Sequence, residues 1–248
     1  CWIKHCGDDA CFTVLQADRF LGPYEVVKTH YRPFNHEVGD FDITVCSDTA
    51  YLYMDADHSG LLTMRLTTDF TEAAEKICWQ YKNLHAPFCR EAPAVFSHEG
   101  KWFMLTSGMT GYVPNRSDSA AANSPDAPFL SIGNPHVEDD SCASFNSQIS
   151  QVFKVPSKRG LYIALADRWV PDYPVDAKLA DLLERCTAQR FDPKHYKATP
   201  EEMQHMMQSP MLSSANTSRA DYVWLPITFE NGKPKIHWCD SWKLSEFE

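Results

Sequence analysis

Arg90-Glu91-Ala92-Pro93-Ala94-Val95-Phe96 is followed by a polar break, Ser97-His98-Glu99-Gly100-Lys101, and then by Trp102-Phe103-Met104-Leu105-Thr106. Two short runs rich in β-branched and aromatic residues, separated by a glycine-containing turn, spell a β-hairpin. The same signature recurs outward from this stretch. Phe41-Asp42-Ile43-Thr44-Val45 meets Ala50-Tyr51-Leu52-Tyr53-Met54, and Leu61-Leu62-Thr63-Met64-Arg65-Leu66 follows after Asp57-His58-Ser59-Gly60. Gln151-Val152-Phe153-Lys154-Val155 meets Leu161-Tyr162-Ile163-Ala164-Leu165, and Tyr222-Val223-Trp224-Leu225-Pro226-Ile227 meets Lys235-Ile236-His237-Trp238 across an Asn231-Gly232 turn signal. The hairpins return at intervals of roughly 45–60 residues, the spacing of four-stranded propeller blades. Periodicity alone leaves a β-sandwich open.

One region breaks the β rhythm. Val175, Leu179, Leu182, Leu183 and Cys186 fall on one face at helical spacing. Thr199-Pro200-Glu201-Glu202 reads as an N-cap, a proline in the first turn and a capping-box glutamate, which predicts a second helix to about Met207. Residues 172–215 are therefore expected to form a helical insertion in an all-β domain. Residues 115–128, rich in Ser, Ala, Asn and Asp, are expected to form a loop between strands.

Composition narrows the function. The chain has 248 residues, with 23 Lys+Arg against 33 Asp+Glu and a net charge of −10. That balance argues against nucleic acid, whose phosphates are met by Lys and Arg. The 44% hydrophobic content is ample for a core. Its apolar runs are shorter than the ~20 residues of a membrane helix. The length suits a single domain spanning residues 1–248. The nine cysteines show no CxxC pair and no metal-type Cys/His spacing, so no metal site is predicted. Glycine-rich phosphate loops, GxSxG and HExxH are absent from the sequence, and no cofactor is expected. The first residues, Cys1-Trp2-Ile3-Lys4-His5, form neither a leader peptide nor a Met start, which suggests a chain that continues upstream.

Acids at strand starts are the candidate chemistry. Glu91, between Arg90 and Ala92-Pro93, would enter an apolar strand and lose water, which favours its neutral form. A general acid needs that property near neutral pH. A solvated glutamate at a strand end is the plainer alternative. Asp42 opens a similar strand, and two carboxylates at one mouth are the minimum for cleaving a glycosidic bond. Phe145-Asn146-Ser147-Gln148 would bring an amide to the same place. Tyr112 and Trp169 could stack on a sugar ring or simply fill the core.

The residues from Arg90 to Phe96 and Lys101-Trp102-Phe103-Met104-Leu105-Thr106-Ser107-Gly108-Met109-Thr110-Gly111-Tyr112 resemble the general-acid blade of glycoside hydrolase family 43, in particular its exo-β-1,3-galactanase group. Gly22-Pro23-Tyr24, Phe145-Asn146-Ser147-Gln148, Ala166-Asp167-Arg168-Trp169, Tyr222-Val223-Trp224-Leu225-Pro226-Ile227 and Trp238-Cys239-Asp240-Ser241-Trp242 match further segments in order. The resemblance implies a five-bladed β-propeller, N-terminally incomplete, and an inverting hydrolase. It places Glu91 as the acid, Asp42 as the carboxylate that tunes it, and Gln148 as the residue that holds the attacking water. It places Thr110, Tyr112, Arg168 and Trp169 against the sugar. Inverting geometry would separate acid and water site by roughly 6.5–9.5 Å.

By motif order the first blade and the first strand of the second are missing, so a further N-terminal segment or another subunit is expected to complete the propeller. A structural calcium ion is compatible with the resemblance. The implied partner is an oligo- or polysaccharide met outside the cell or in the periplasm. Rival readings keep the fold and change the role: a family member acting on α-L-arabinofuranosides or β-xylosides, or a non-catalytic carbohydrate-binding propeller.

Overall fold

The computed structural model describes residues 1–7, 9–208 and 216–248. Its strands fall, among the described residues, into four sheets of successive antiparallel strands. The first holds β1 (Trp2–Lys4), β2 (Phe12–Gln16) and β3 (Glu25–Tyr31). The second holds β4 (Val38–Cys46), β5 (Thr49–Ala56), β6 (Leu61–Leu66) and β7 (Ala73–Gln80). The third holds β8 (Arg90–His98), β9 (Lys101–Gly108), β10 (Ser117–Ala122) and β11 (Leu130–Gly133). A two-residue strand, β12 (His136–Val137), then runs ahead of the fourth sheet, made of β13 (Gln148–Lys154), β14 (Tyr162–Arg168), β15 (Asp221–Glu230) and β16 (Lys233–His237). β12 joins that sheet in parallel with β16, so a connection from the third sheet covers the fourth sheet's outer edge.

Apolar side chains bury between consecutive sheets. Phe12 and Val14 pack with Leu52, Met54 and Met64 between the first and second. Tyr53 and Leu61 meet Val95, Met104 and Ala120 between the second and third. Phe96, Phe103 and Leu105 meet Ile149, Tyr162, Ala164 and Leu225 between the third and fourth. Strands sandwiched on both faces need apolar residues at successive positions, which is why Trp102-Phe103-Met104-Leu105 is a continuous run. The leading strands β4, β8 and β13 lie side by side: Val95 N donates to Asp42 Oδ2 at 2.7 Å, and Gln151 Nε2 donates to Asp42 Oδ1 at 3.3 Å.

The insertion holds two helices. α1 (Ala177–Phe191) starts on Asp176, whose side chain accepts from Leu179 N at 2.8 Å. α2 (Pro200–Gln208) starts on the predicted capping box, with Glu202 N donating to Thr199 Oγ1 at 3.2 Å and Thr199 N to Glu202 Oε2 at 2.8 Å. Ala180, Leu183, Cys186 and Met206 bury against Val113 and Ala143, so the helices back the loop that follows β9. The end of the predicted insertion, residues 209–215, lies outside the described residues. Neither described helix is long and apolar enough to cross a membrane.

One prediction fails outright. Residues 115–128 are not a plain loop: Ser117–Ala122 pairs along the length of β9, from Ser117↔Ser107 to Ala122↔Trp102. Small residues carry no apolar pattern, yet their backbones complete the ladder and Ser119 and Ala120 are buried.

Candidate active site

Each leading strand is broken by a bulge at the same end. On β4 the register jumps between Val38↔Ala56 and Phe41↔Met54, so Gly39 and Asp40 face Asp55 alone. On β8 it jumps between Glu91↔Ser107 and Ala94↔Leu105, leaving Ala92 and Pro93 opposite Thr106. On β13 Ser150 is the extra residue between Ile149 and Gln151. Bulges re-aim side chains. Pro93, which has no N–H to donate, is tolerated at such a position. Ala92 adopts φ 49°, a conformation uncommon outside glycine. Gly39 is required sterically, because a Cβ there would collide with the Asp55 carboxylate.

The bulges gather Asp40, Glu91, Gln148 and Ser150 in one cleft of about 470 Å³, with Phe41, Asp167, Tyr112 and Trp169 on its walls. That volume lies in the range of small-ligand sites. Glu91 is the second residue of β8, and Arg90 braces the strand start by donating to Thr106 O at 2.8 Å and Arg116 O at 3.0 Å. Gln148 Nε2 donates to Glu91 Oε1 at 3.1 Å and to Ser107 Oγ at 2.5 Å. Burial pushes the Glu91 carboxyl up to about 8, and the negative charges of Asp40 and Asp55 add to it. Donation from Gln148 and the nearby His58 pull the other way without reversing the shift. Glu91 therefore holds a proton at neutral pH.

Asp55 lies beneath the bulge of β4, fully buried. His58 Nδ1 meets its Oδ2 at 2.6 Å, while its Oδ1 has no hydrogen-bond partner among the described residues. Lys4 reaches the cleft from β1 and pairs with Asp40 at 2.8 Å. Burial draws the Lys4 ammonium down, but the charge and hydrogen bond of Asp40, together with Cys6 and Asp55, hold the group above its ordinary value.

Several predicted site residues sit elsewhere. Asp42 lies mid-strand in β4, is 5% exposed and does not line the cleft. Its carboxylate takes Val95 N and Gln151, tying the second sheet to the third and fourth. In a regular strand Asp40 and Asp42 would share a face; the bulge breaks that alternation, and Asp40 is the acid in the cleft. Gln148 is in the cleft, but at hydrogen-bond distance from Glu91 rather than separated from it by the space of a sugar. β8 and β13 are direct neighbours, so the amide reaches the acid itself. Thr110 braces its own loop, donating to Val113 O at 2.9 Å and accepting from Asn115 Nδ2 at 2.5 Å. Arg168 caps the segment before β13, donating to Phe145 O at 2.8 Å, with its guanidinium 5.2 Å from the Trp238 ring centroid. Tyr112 and Trp169 do meet at the cleft, edge to face, with centroids 5.6 Å apart. Asp40, Lys4 and Asp167 also line the cleft, and no motif in the sequence marks them.

No family model and no curated protein matches the sequence. Solved structures do match. A family GH43 β-1,3-galactosidase superposes with a TM-score of 0.72 at 26% identity, covering 97% of this chain and 41% of that one. A second GH43 β-1,3-galactosidase, solved with galactodeoxynojirimycin, gives 0.67 at 21%, covering 96% and 69%. The exo-β-1,3-galactanase of Phanerochaete chrysosporium, solved with galactose, gives 0.64 at 20%, covering 95% and 44%. The chain thus spans less than half the length of the first of these. The resemblance carried by the motifs from Gly22 to Trp242 holds in three dimensions: over the part of their length that it spans, the chain has the fold of the glycoside hydrolase family 43 β-1,3-galactosidases.

Proposed function

We infer that the cleft is a glycosidase site that removes sugars from the non-reducing end of β-1,3-linked galactan or a related arabinogalactan, with inversion, and that the four sheets are successive propeller blades. One observation carries the reading: a glutamic acid at a strand start, held by the Gln148 amide and pushed toward its neutral form by burial, lines a cleft walled by an aromatic pair. Glu91 gives that proton to the glycosidic oxygen as the bond from oxygen to the anomeric carbon breaks. A water adds to the anomeric carbon from the opposite face and passes its proton to solvent. Asp40 keeps Glu91 protonated through its charge, and Gln148 fixes the carboxyl's orientation. Tyr112 and Trp169 offer apolar faces to a sugar ring. A polymer substrate places the protein outside the cell or in the periplasm.

The test is hydrolysis of β-1,3-galactobiose, with the product anomer followed by proton NMR. Glu91→Gln should lower kcat by about 10²–10⁴, the span of general acid–base catalysis, while leaving sugar binding measurable. Comparable turnover by Glu91→Gln sinks the assignment. Binding without turnover in the unaltered protein marks a carbohydrate-binding propeller instead. Preferential cleavage of an arabinofuranoside or xyloside replaces the sugar and keeps the acid.

A further inference from the structure

The turn between β1 and β2 and the end of β3 bring together three metal-binding side chains from a part of the molecule that the cleft does not use. Asp9, Cys11 and His30 each present one donor atom, all within 4.8 Å of one another. His30 Nδ1 lies 2.6 Å from Asp9 Oδ2. His30 is aimed there by local backbone chemistry: β3 carries an extra residue between its pairings Tyr31↔Phe12 and Lys28↔Val14, and His30 adopts φ 49°. A bulge of this kind redirects a side chain off the sheet face. Cys11 is 1% exposed, while the Asp9 and His30 side chains stay open to solvent at 53% and 75%.

We propose that Asp9, Cys11 and His30 form a site for one borderline-soft divalent transition-metal ion, zinc above all, with water in the fourth position. The donor set decides the class. Thiolate and imidazole favour zinc over calcium or magnesium, which take oxygen ligands. Zinc bonds of about 2.0–2.3 Å in a tetrahedron put donors roughly 3.3–3.7 Å apart. The three donors already lie within 4.8 Å of one another, and the exposed Asp9 and His30 have room to separate from 2.6 Å to that spacing. Binding would release the Cys11 thiol proton to solvent as sulfur takes the metal. The bound ion would clamp the β1–β2 turn onto β3. Sequence spacing hides the site, because positions 9, 11 and 30 converge only through the turn and the bulge.

The experiment uses the full chain, reduced and stripped with chelator, and cobalt(II) as the probe. One equivalent should bind with a thiolate-to-cobalt charge-transfer band that zinc abolishes, and zinc should raise Tm. Cys11→Ser should lose the band. Asp9→Asn and His30→Ala alter exposed side chains, so the fold is retained. Each should weaken cobalt binding by more than the ~10–100-fold that follows loss of a partner outside the coordination sphere. Far-UV circular dichroism of each metal-free variant checks the fold, and if Cys11→Ser misfolds, the two exposed variants decide. Failure to bind cobalt, a band that persists in Cys11→Ser, or affinity unchanged in Asp9→Asn and His30→Ala overturns the site.

Discussion

The first and third sheets meet water on opposite terms. In β9 of the third sheet, Phe103, Met104 and Leu105 are at most 1% exposed, because the second and fourth sheets pack on either side. In β3 of the first, Val26 is 58% and Val27 42% exposed, and Ile3 on β1 is 45% exposed. β3 is an edge strand of its three-stranded sheet, while β9 is flanked by β8 and β10. A strand packed on both faces has its residue types dictated at successive positions; an edge strand has few of them dictated. The cleft sits where these regimes meet, with Glu91 and Gln148 on the packed side and Lys4 reaching in from the open side.

The hardest test of this contrast is Phe103→Ala. Its ring stacks on Phe96 at 5.6 Å and tilts against Phe229 at 5.9 Å in a closed core. Loss of such a ring costs about 3–5 kcal/mol. Urea unfolding followed by tryptophan fluorescence measures it. A cost near 1 kcal/mol would mean that the third and fourth sheets do not pack as one core.

Next in size is the pair Asp40→Asn and Asp42→Asn, which tests whether the bulge on β4 selects the working acid. The Asp40 charge is second only to burial in raising Glu91. Its removal lowers the Glu91 pKa from about 8 toward the ordinary value, so the acid loses its proton at lower pH. The alkaline limb of the pH–rate profile should move down, and turnover at pH 7 should fall. Asp42 lies outside the cleft, tied to Val95 N and Gln151, so Asp42→Asn should leave that limb in place. An alkaline limb moved by Asp42→Asn and not by Asp40→Asn would return the role to Asp42. The linked stability has a definite sign. The raised Glu91 pKa favours folding fully below pH 4.5, and that contribution is lost as pH rises toward 8.

How much of this was legible in the sequence follows the same divide. Trp102-Phe103-Met104-Leu105 and Leu61-Leu62-Thr63-Met64 announce strands because burial on two faces writes apolar runs. Thr199-Pro200-Glu201-Glu202 announces a helix start because capping is local chemistry. β3 mixes Glu, Lys, Thr and His with its valines, and an edge with a bulge erases alternation. β10 is written in Ser, Asp and Ala, whose pairing is a backbone event. In the cleft, Glu91 and Gln148 are legible in the sequence because they head strands, and Tyr112 and Trp169 because they are aromatic. The sequence does not separate Asp40 from Asp42, because strand alternation treats residues two apart as equivalent, and one bulge suffices to part them. Thr110 and Arg168 have hydrogen-bonding side chains suited to a sugar, but local carbonyls satisfy them first.

The smallest effect closes the comparison. Val26→Thr and Val95→Thr make the same change of one methyl to one hydroxyl, at an exposed and at a buried strand position. Val95 is 4% exposed among Tyr53, Leu61 and Met104, where an added hydroxyl finds apolar neighbours and costs ~1–3 kcal/mol. Val26 is more than half in water, threonine is as good a strand former, and surface changes of this kind stay within about 0.5 kcal/mol. Thermal unfolding of the two variants side by side measures the difference with side-chain volume held nearly constant. A Val26→Thr cost matching that of Val95→Thr would show that β3 is covered in solution, and that the open side of the molecule is an interface.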